Sequence, residues 1–130
     1  MKHLLDINTL IALGHSAHVH HARAIAWYRS LPENTTLCTS AITELGFVRV
    51  AVQASLQSDV PSARKALAAL KSSSAIPFEL VADALGADKL PSFARTPNKL
   101  TDGHLMELAR SHQAQLATLD TGIPGSTVLP

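Results

Sequence analysis

The stretch LLDINTLIAL, residues 4–13, decides how the rest of the chain is read. Two leucines close the short run KHLL over 2–5, which reads as a buried strand, and Asp6 follows at its end. Residues 9–14 read as a short helix or turn that stops near Gly14. A strand that ends on an acid and leads into a helix is the opening unit of an α/β fold. The far end of the chain repeats this arrangement. Residues 115–119 (QLATL) form a second strand pattern, ending at Asp120, and a Gly- and Pro-containing turn leads to a last short strand over 126–129.

Between these ends the pattern alternates. Val19, Ala22, Ile25, Ala26 and Tyr28 recur at helical spacing from His18 to Leu31, and Pro32 follows. Residues 36–38 suit a strand. Thr39 or Ser40 can cap the next helix, with Thr43 and Glu44 in its first turn near capping-box spacing. That helix carries Ile42, Leu45, Phe47, Val48 and Val52 and runs to about Leu56. Pro61 starts a helix over 61–72, and residues 76–81 form a strand that Pro77 restricts to an edge. The segment 83–100, with two prolines and two aspartates, yields no element. Thr101 is expected to cap a helix over 102–113, with Leu105, Leu108, Ala109 and His112 on one stripe. Strands alternating with helices imply a single α/β domain over 1–130 with a mostly parallel sheet. Such sheets gather ligands at the carboxyl ends of their strands, where Asp6 and Asp120 stand.

Composition narrows the classes. The chain is 46% apolar and only 4% aromatic, so its core is built of Ala, Leu, Val and Ile. No run approaches the ~18–20 apolar residues of a membrane helix, and Asp6 and Asn8 interrupt the one N-terminal run that resembles a signal peptide. A lone cysteine, Cys38, forms no internal disulfide and suits a core position in a reducing cytoplasm. Eleven Lys and Arg against ten Asp and Glu leave a net charge of +1, too little to hold nucleic acid by bulk attraction. Any such contact must be local, metal-mediated or shared between subunits.

Asp6, Glu44, Asp102 and Asp120 each have a plain structural role available, as a turn, cap or first-turn residue. As a set they stand at strand ends or helix starts, along the edge where the fold collects its loops. Carboxylates gathered there repel one another, and a divalent cation relieves the repulsion. Hard oxygen donors suit Mg2+ or Mn2+, which can activate water for phosphodiester hydrolysis. The sequence contains no phosphate-binding GxxxxGK loop, no GxSxG and no HExxH. Among the seven histidines, His18 and His21 would share a helix face, but His20 points elsewhere and no further ligand lies at zinc spacing. His104 and His112 fall on the last helix and are expected at exposed positions. Arg49 and Lys99 are candidate phosphate contacts, and Asp83 and Asp88 are expected as solvated loop or cap residues.

The stretches LLDINTLIAL (4–13), HVHHARAIAW (18–27), CTSAITELGFVRV (38–50), LTDGHLMELAR (100–110) and LATLDTG (116–122) together resemble the PIN-domain family, and within it the VapC-type toxins of bacterial toxin–antitoxin modules. The resemblance implies a three-layer α/β/α sandwich around a mostly parallel sheet of about four to five strands. It also implies metal-dependent cleavage of RNA, with Asp6 and Asp102 as main metal ligands. Glu44 and Asp120 would act directly or through water, with Asn8 and Thr101 in support. A homodimer follows from it, as does a cognate VapB-like antitoxin whose arginine meets the carboxylates. Two other classes are weighed against this one. The run Asp6-Ile7-Asn8-Thr9 is one residue from the DxDxT of haloacid-dehalogenase-like phosphatases, but Asn8 replaces the second acid and the late lysine is missing. A catalytically weak module binding RNA or protein is the second, which four retained acids disfavour.

Overall fold

Leu4 and Leu5 are both fully buried, yet they belong to different cores, and this places β1 (Lys2–Leu5) in the middle of the protein. In a computed structural model describing residues 1–130, the remaining elements follow in an alternating order. They are α1 (Ile7–Gly14), α2 (His21–Ser30), β2 (Thr36–Thr39), α3 (Ala41–Gln53), α4 (Val60–Ser73), β3 (Phe78–Leu80), α5 (Leu100–Ser111), β4 (Ala114–Thr118) and β5 (Thr127–Val128). The five strands lie in the order β3-β2-β1-β4-β5, and every pairing is parallel. Parallel strands need crossovers, and the helices supply them on both faces of the sheet.

Strand residues alternate between the faces. Leu5, Leu37 and Ala117 join Leu10, Ile11, Trp27, Phe47 and Leu67 in a core beneath α1–α4. Leu4, Cys38 and Leu116 join Leu105, Leu108 and Ala109 beneath α5. The result is the three-layer α/β/α sandwich expected from the sequence, with five strands. Gly46 allows α3 to close on α1, since a Cβ there would collide with the Ile7 side chain.

Several element boundaries differ from the sequence reading. The second helix begins at His21, because residues 15–20 turn through hydrogen bonds from the His18 amide to His15 and from the His21 amide to His18. Val19, counted on its apolar stripe, is 85% exposed. The third helix stops at Gln53, where Ser55 turns the chain at φ 58°. Its start is as expected: the Thr43 amide donates to Ser40 Oγ and the Ser40 amide to Thr43 Oγ1, a closed capping box. The β3 strand lies at the sheet edge, with Pro77 just before it.

Thr101 does not cap the last helix. The chain enters α5 from a 3-10 turn over Pro97–Lys99, so the helix begins at Leu100 and Thr101 is an exposed residue of its first turn. The segment before it contains two such turns, the other over Ala87–Lys89. It is tied to α5 by His104 Nε2, 2.5 Å from Asp83 Oδ2, and at the helix end by His112 Nε2, 2.7 Å from the Ala82 carbonyl. Asp83 is thus a partly buried hydrogen-bond partner of His104 rather than a solvated loop residue, and both histidines are half-buried fasteners rather than exposed. No helix is long and apolar enough to cross a membrane.

Candidate active site at the carboxyl edge of the sheet

Pairing of β1 with β4 aligns Leu5 with Ala117, so the next residues along each strand, Asp6 and Thr118, meet at the carboxyl edge. The Asp6 amide extends the ladder to the Ala117 carbonyl at 3.1 Å. Its side chain is held at both oxygens. Oδ1 accepts from the Thr9 amide at 2.8 Å, capping α1, and Oδ2 accepts from Thr118 Oγ1 at 2.5 Å. The residue is only 6% exposed, and these donors replace the water it has lost. Thr118 Oγ1 also accepts from the Asp120 amide at 3.0 Å, which places that acid on the same edge. Asp120 then accepts from the Gly122 amide at 2.7 Å through Oδ1 and stays at the exposed rim.

Asp102 comes from the first turn of α5 and is half-buried. Burial pushes its carboxyl above the ordinary aspartate value, and the negative charges of Asp6 and Asp120 push it further, while Lys99 opposes them. Three aspartates far apart in sequence therefore share one electrostatic field. Lys99 reaches this mouth: a methyl group on Gly122 would meet both Asp120 Oδ1, at 3.2 Å, and Lys99 Nζ, at 3.4 Å.

Glu44 is placed differently. Its Oε2 accepts from Thr39 Oγ1 at 2.6 Å and from Lys71 Nζ, on α4, at 2.7 Å. It lines a groove of about 660 Å³ between α3 and α4, together with Leu45, Val48, Val52, Arg49, Arg64 and Lys71. The structure thus brings Asp6, Asp102 and Asp120 together and leaves Glu44 neutralised by a lysine. No three acidic, histidine or cysteine side chains converge into a preformed metal cage. Asn8 and Thr101 are exposed and make no side-chain hydrogen bonds; Thr9 and Thr118 support Asp6 instead. Thr118 and Lys71 escaped the sequence reading, and Thr39, considered there only as a helix cap, instead donates to Glu44 while Ser40 caps α3. Thr118 had one visible signal, its place at the end of β4 two residues before Asp120.

The histidines of the first turn region are engaged with the backbone rather than gathered into a group of three or more metal ligands. His15 Nδ1 lies 3.0 Å from the Ile11 carbonyl and His21 Nδ1 lies 2.8 Å from the Ala12 carbonyl, so each ring donates to the open end of α1. Trp27 packs edge-on against His3 at 5.3 Å between ring centres.

Sequence comparison closes the question of kinship. The PIN domain family matches residues 3–124, a span that carries all four acids. The chain belongs to the PIN domain family. Among its PIN-domain relatives, Ribonuclease VapC38 of Mycobacterium tuberculosis is 35% identical over 125 residues, covering 92% of this chain and 86% of the relative. Ribonuclease VapC39 of the same species is 36% identical, covering 97% and 94%. The crystal structure of the M. tuberculosis toxin VapC20, described as cleaving the sarcin–ricin loop, superposes with a TM-score of 0.69 at 18% identity, covering 98% of this chain and 99% of that one. VapBC2 of Rickettsia felis, solved on a promoter DNA fragment, gives 0.66 at 16% identity, covering 98% and 97%. At such identities these structures establish the shared PIN fold.

Proposed function

We propose that this PIN-domain chain is a metal-dependent endoribonuclease that hydrolyses RNA phosphodiesters and acts as the toxin of a toxin–antitoxin pair. The observation that carries this reading is the gathering at the carboxyl edge of the sheet of Asp6 and Asp120, joined through Thr118, with the half-buried Asp102 on which both charges act. Relatives named as ribonucleases, aligned over most of their length, support it.

The donor chemistry fits Mg2+ or Mn2+. All the acids offer hard oxygens, and an open set of carboxylates suits an ion that keeps much of its own water and binds substrate phosphate. Asp6 and Asp102 are the principal ligands in this reading, with Asp120 and Glu44 acting directly or through water. Bound there, the ion supplies charge neutralisation and Lewis acidity for attack on the phosphodiester. The chain does the positioning. Thr118 and the Thr9 amide fix both oxygens of Asp6, and the Thr118 hydroxyl fixes the Asp120 backbone. A carboxylate of this set takes the proton of the attacking water.

A cognate antitoxin, a homodimer and a cytoplasmic site of action complete the proposal, by kinship with VapC proteins and with the toxin–antitoxin complex of Klebsiella pneumoniae. An antitoxin arginine at the mouth would present to the aspartates the positive charge that the cation otherwise brings.

The Lys71–Glu44 ion pair favours a second reading, a PIN-fold binding module of weak catalytic power, because one of the four acids is already satisfied by a lysine. One experiment separates the two. The purified protein is incubated with structured RNA in Mg2+ or Mn2+, with and without EDTA, beside Asp6→Asn and Asp102→Asn. Cleavage that needs the metal and both aspartates supports the enzyme; cleavage unchanged in either variant removes these residues from the site. The cation should also raise the melting temperature of the wild type, by mass action, and not that of Asp102→Asn.

A further inference from the structure

An RNA phosphate approaching three aspartates meets like charge, so the mouth needs a positive group besides any ion the acids hold. Two lysines reach the acids of the carboxyl edge. Lys71 is spent, its ammonium 2.7 Å from Glu44. Lys99 is not: none of the ion pairs of the chain includes it, and its side chain makes no hydrogen bond. A Cβ built on Gly122 would nevertheless lie 3.4 Å from Lys99 Nζ and 3.2 Å from Asp120 Oδ1, and the lysine charge is felt at Asp102. Glycine at 122 leaves this gap open. Arg49, the other cation singled out from the sequence, is exposed in the α3/α4 groove, where it donates to Gln53 at 3.5 Å.

We propose that Lys99 is a substrate-binding residue, whose ammonium takes a non-bridging oxygen of an RNA phosphate at the rim formed by Asp120 and Gly122. This assignment rests on the ribonuclease reading and adds to it the group that receives the polyanion. Lys99 stands at the turn Pro97–Lys99, where proline restricts the backbone just before α5, so its stem starts from a fixed point. An ammonium without a carboxylate partner has donors left for phosphate, and lysine serves there as a point charge.

The test is binding of a fluorescein-labelled single-stranded oligoribonucleotide in EDTA across a series of salt concentrations, for wild type, Lys99→Met and Lys99→Arg. Loss of one phosphate contact should weaken binding by roughly tenfold and flatten the slope of log affinity against log salt by about 0.7. Lys99→Arg should keep most of both. Mn2+ should bind Lys99→Met at least as tightly as wild type, since the variant removes a like charge, and melting temperatures should agree within a few degrees. An unchanged salt slope in Lys99→Met overturns the assignment, and so does equal loss in Lys99→Arg. Weaker Mn2+ binding by Lys99→Met overturns it too, by making Lys99 a prop for the carboxylates. Wild-type protein that binds RNA while Lys99→Met behaves identically removes Lys99 alone. Wild-type protein that neither binds nor cleaves RNA removes the ribonuclease reading with it.

Discussion

Thr118 donates its hydroxyl proton to Asp6 across 112 residues of sequence, at 2.5 Å, and the same oxygen accepts the Asp120 amide at 3.0 Å. One fully buried hydroxyl therefore couples the acid after β1 to the acid after β4. Parallel pairing of the two strands creates this contact, and it holds two of the three neighbouring aspartates in register.

Replacing Thr118 with valine keeps the shape and removes the hydroxyl. Asp6 Oδ2 is then buried without its donor, and the loss should be about 1–3 kcal/mol of stability. Urea unfolding measures it. Thr118→Ser should recover most of the stability, and RNA cleavage should fall further in the valine variant than its stability loss explains, because Asp6 and Asp120 both lose an anchor.

The four acids should not be equivalent. Asp6, Asp102 and Asp120 share one field, whereas Glu44 is held by Lys71 and Thr39. Glu44→Gln should retain at least about ten times the residual cleavage of Asp102→Asn, a difference of roughly 1.4 kcal/mol in barrier. Comparison of kcat/KM for the four amide variants on one RNA decides this, and an equal loss in all four would count against the separation.

Close contact of α1 with α3 depends on Gly46. A methyl group there collides with the Ile7 side chain, so Gly46→Ala should cost about 1–3 kcal/mol through overpacking. Shortening Ile7 to valine should recover part of that loss in the double variant, which a thermal-unfolding double-mutant cycle reads directly.

Acid should loosen the 83–100 segment through Asp83. Burial by itself would raise this carboxyl, but hydrogen bonds from His104 and from the Leu85 amide, with the charges of His104 and His112, outweigh it and hold the group below its ordinary value of 3.8. A carboxyl depressed in the folded state adds stability that is complete above that ordinary value and is lost as pH falls through the folded one. Wild type should therefore lose stability more steeply than Asp83→Asn below about pH 4, as followed by urea midpoints on a pH series.

Much of the fold was legible in the chain. Leu4-Leu5-Asp6 and Leu116–Asp120 announce buried strands followed by acids, because short apolar runs fill a sheet interior and a charged residue marks where each run stops. Kinship with the PIN family was legible in the same runs. Ser40 and Thr43 marked the start of α3, since a capping box is a local contact written in adjacent residues. The start of α5 was misread at Thr101, because a 3-10 turn over Pro97–Lys99 runs directly into the helix at Leu100 and leaves no separate capping residue.

The grouping within the acid set belonged to tertiary structure alone. Sequence placed Asp6, Glu44, Asp102 and Asp120 on one edge, but charges interact through space, and their separations follow from strand register and helix packing. Register put Thr118 beside Asp6, packing of α4 on α3 put Lys71 on Glu44, and the turn before α5 brought Lys99 near Gly122. Each of these is a contact between residues distant in the chain, and no local spacing encodes it.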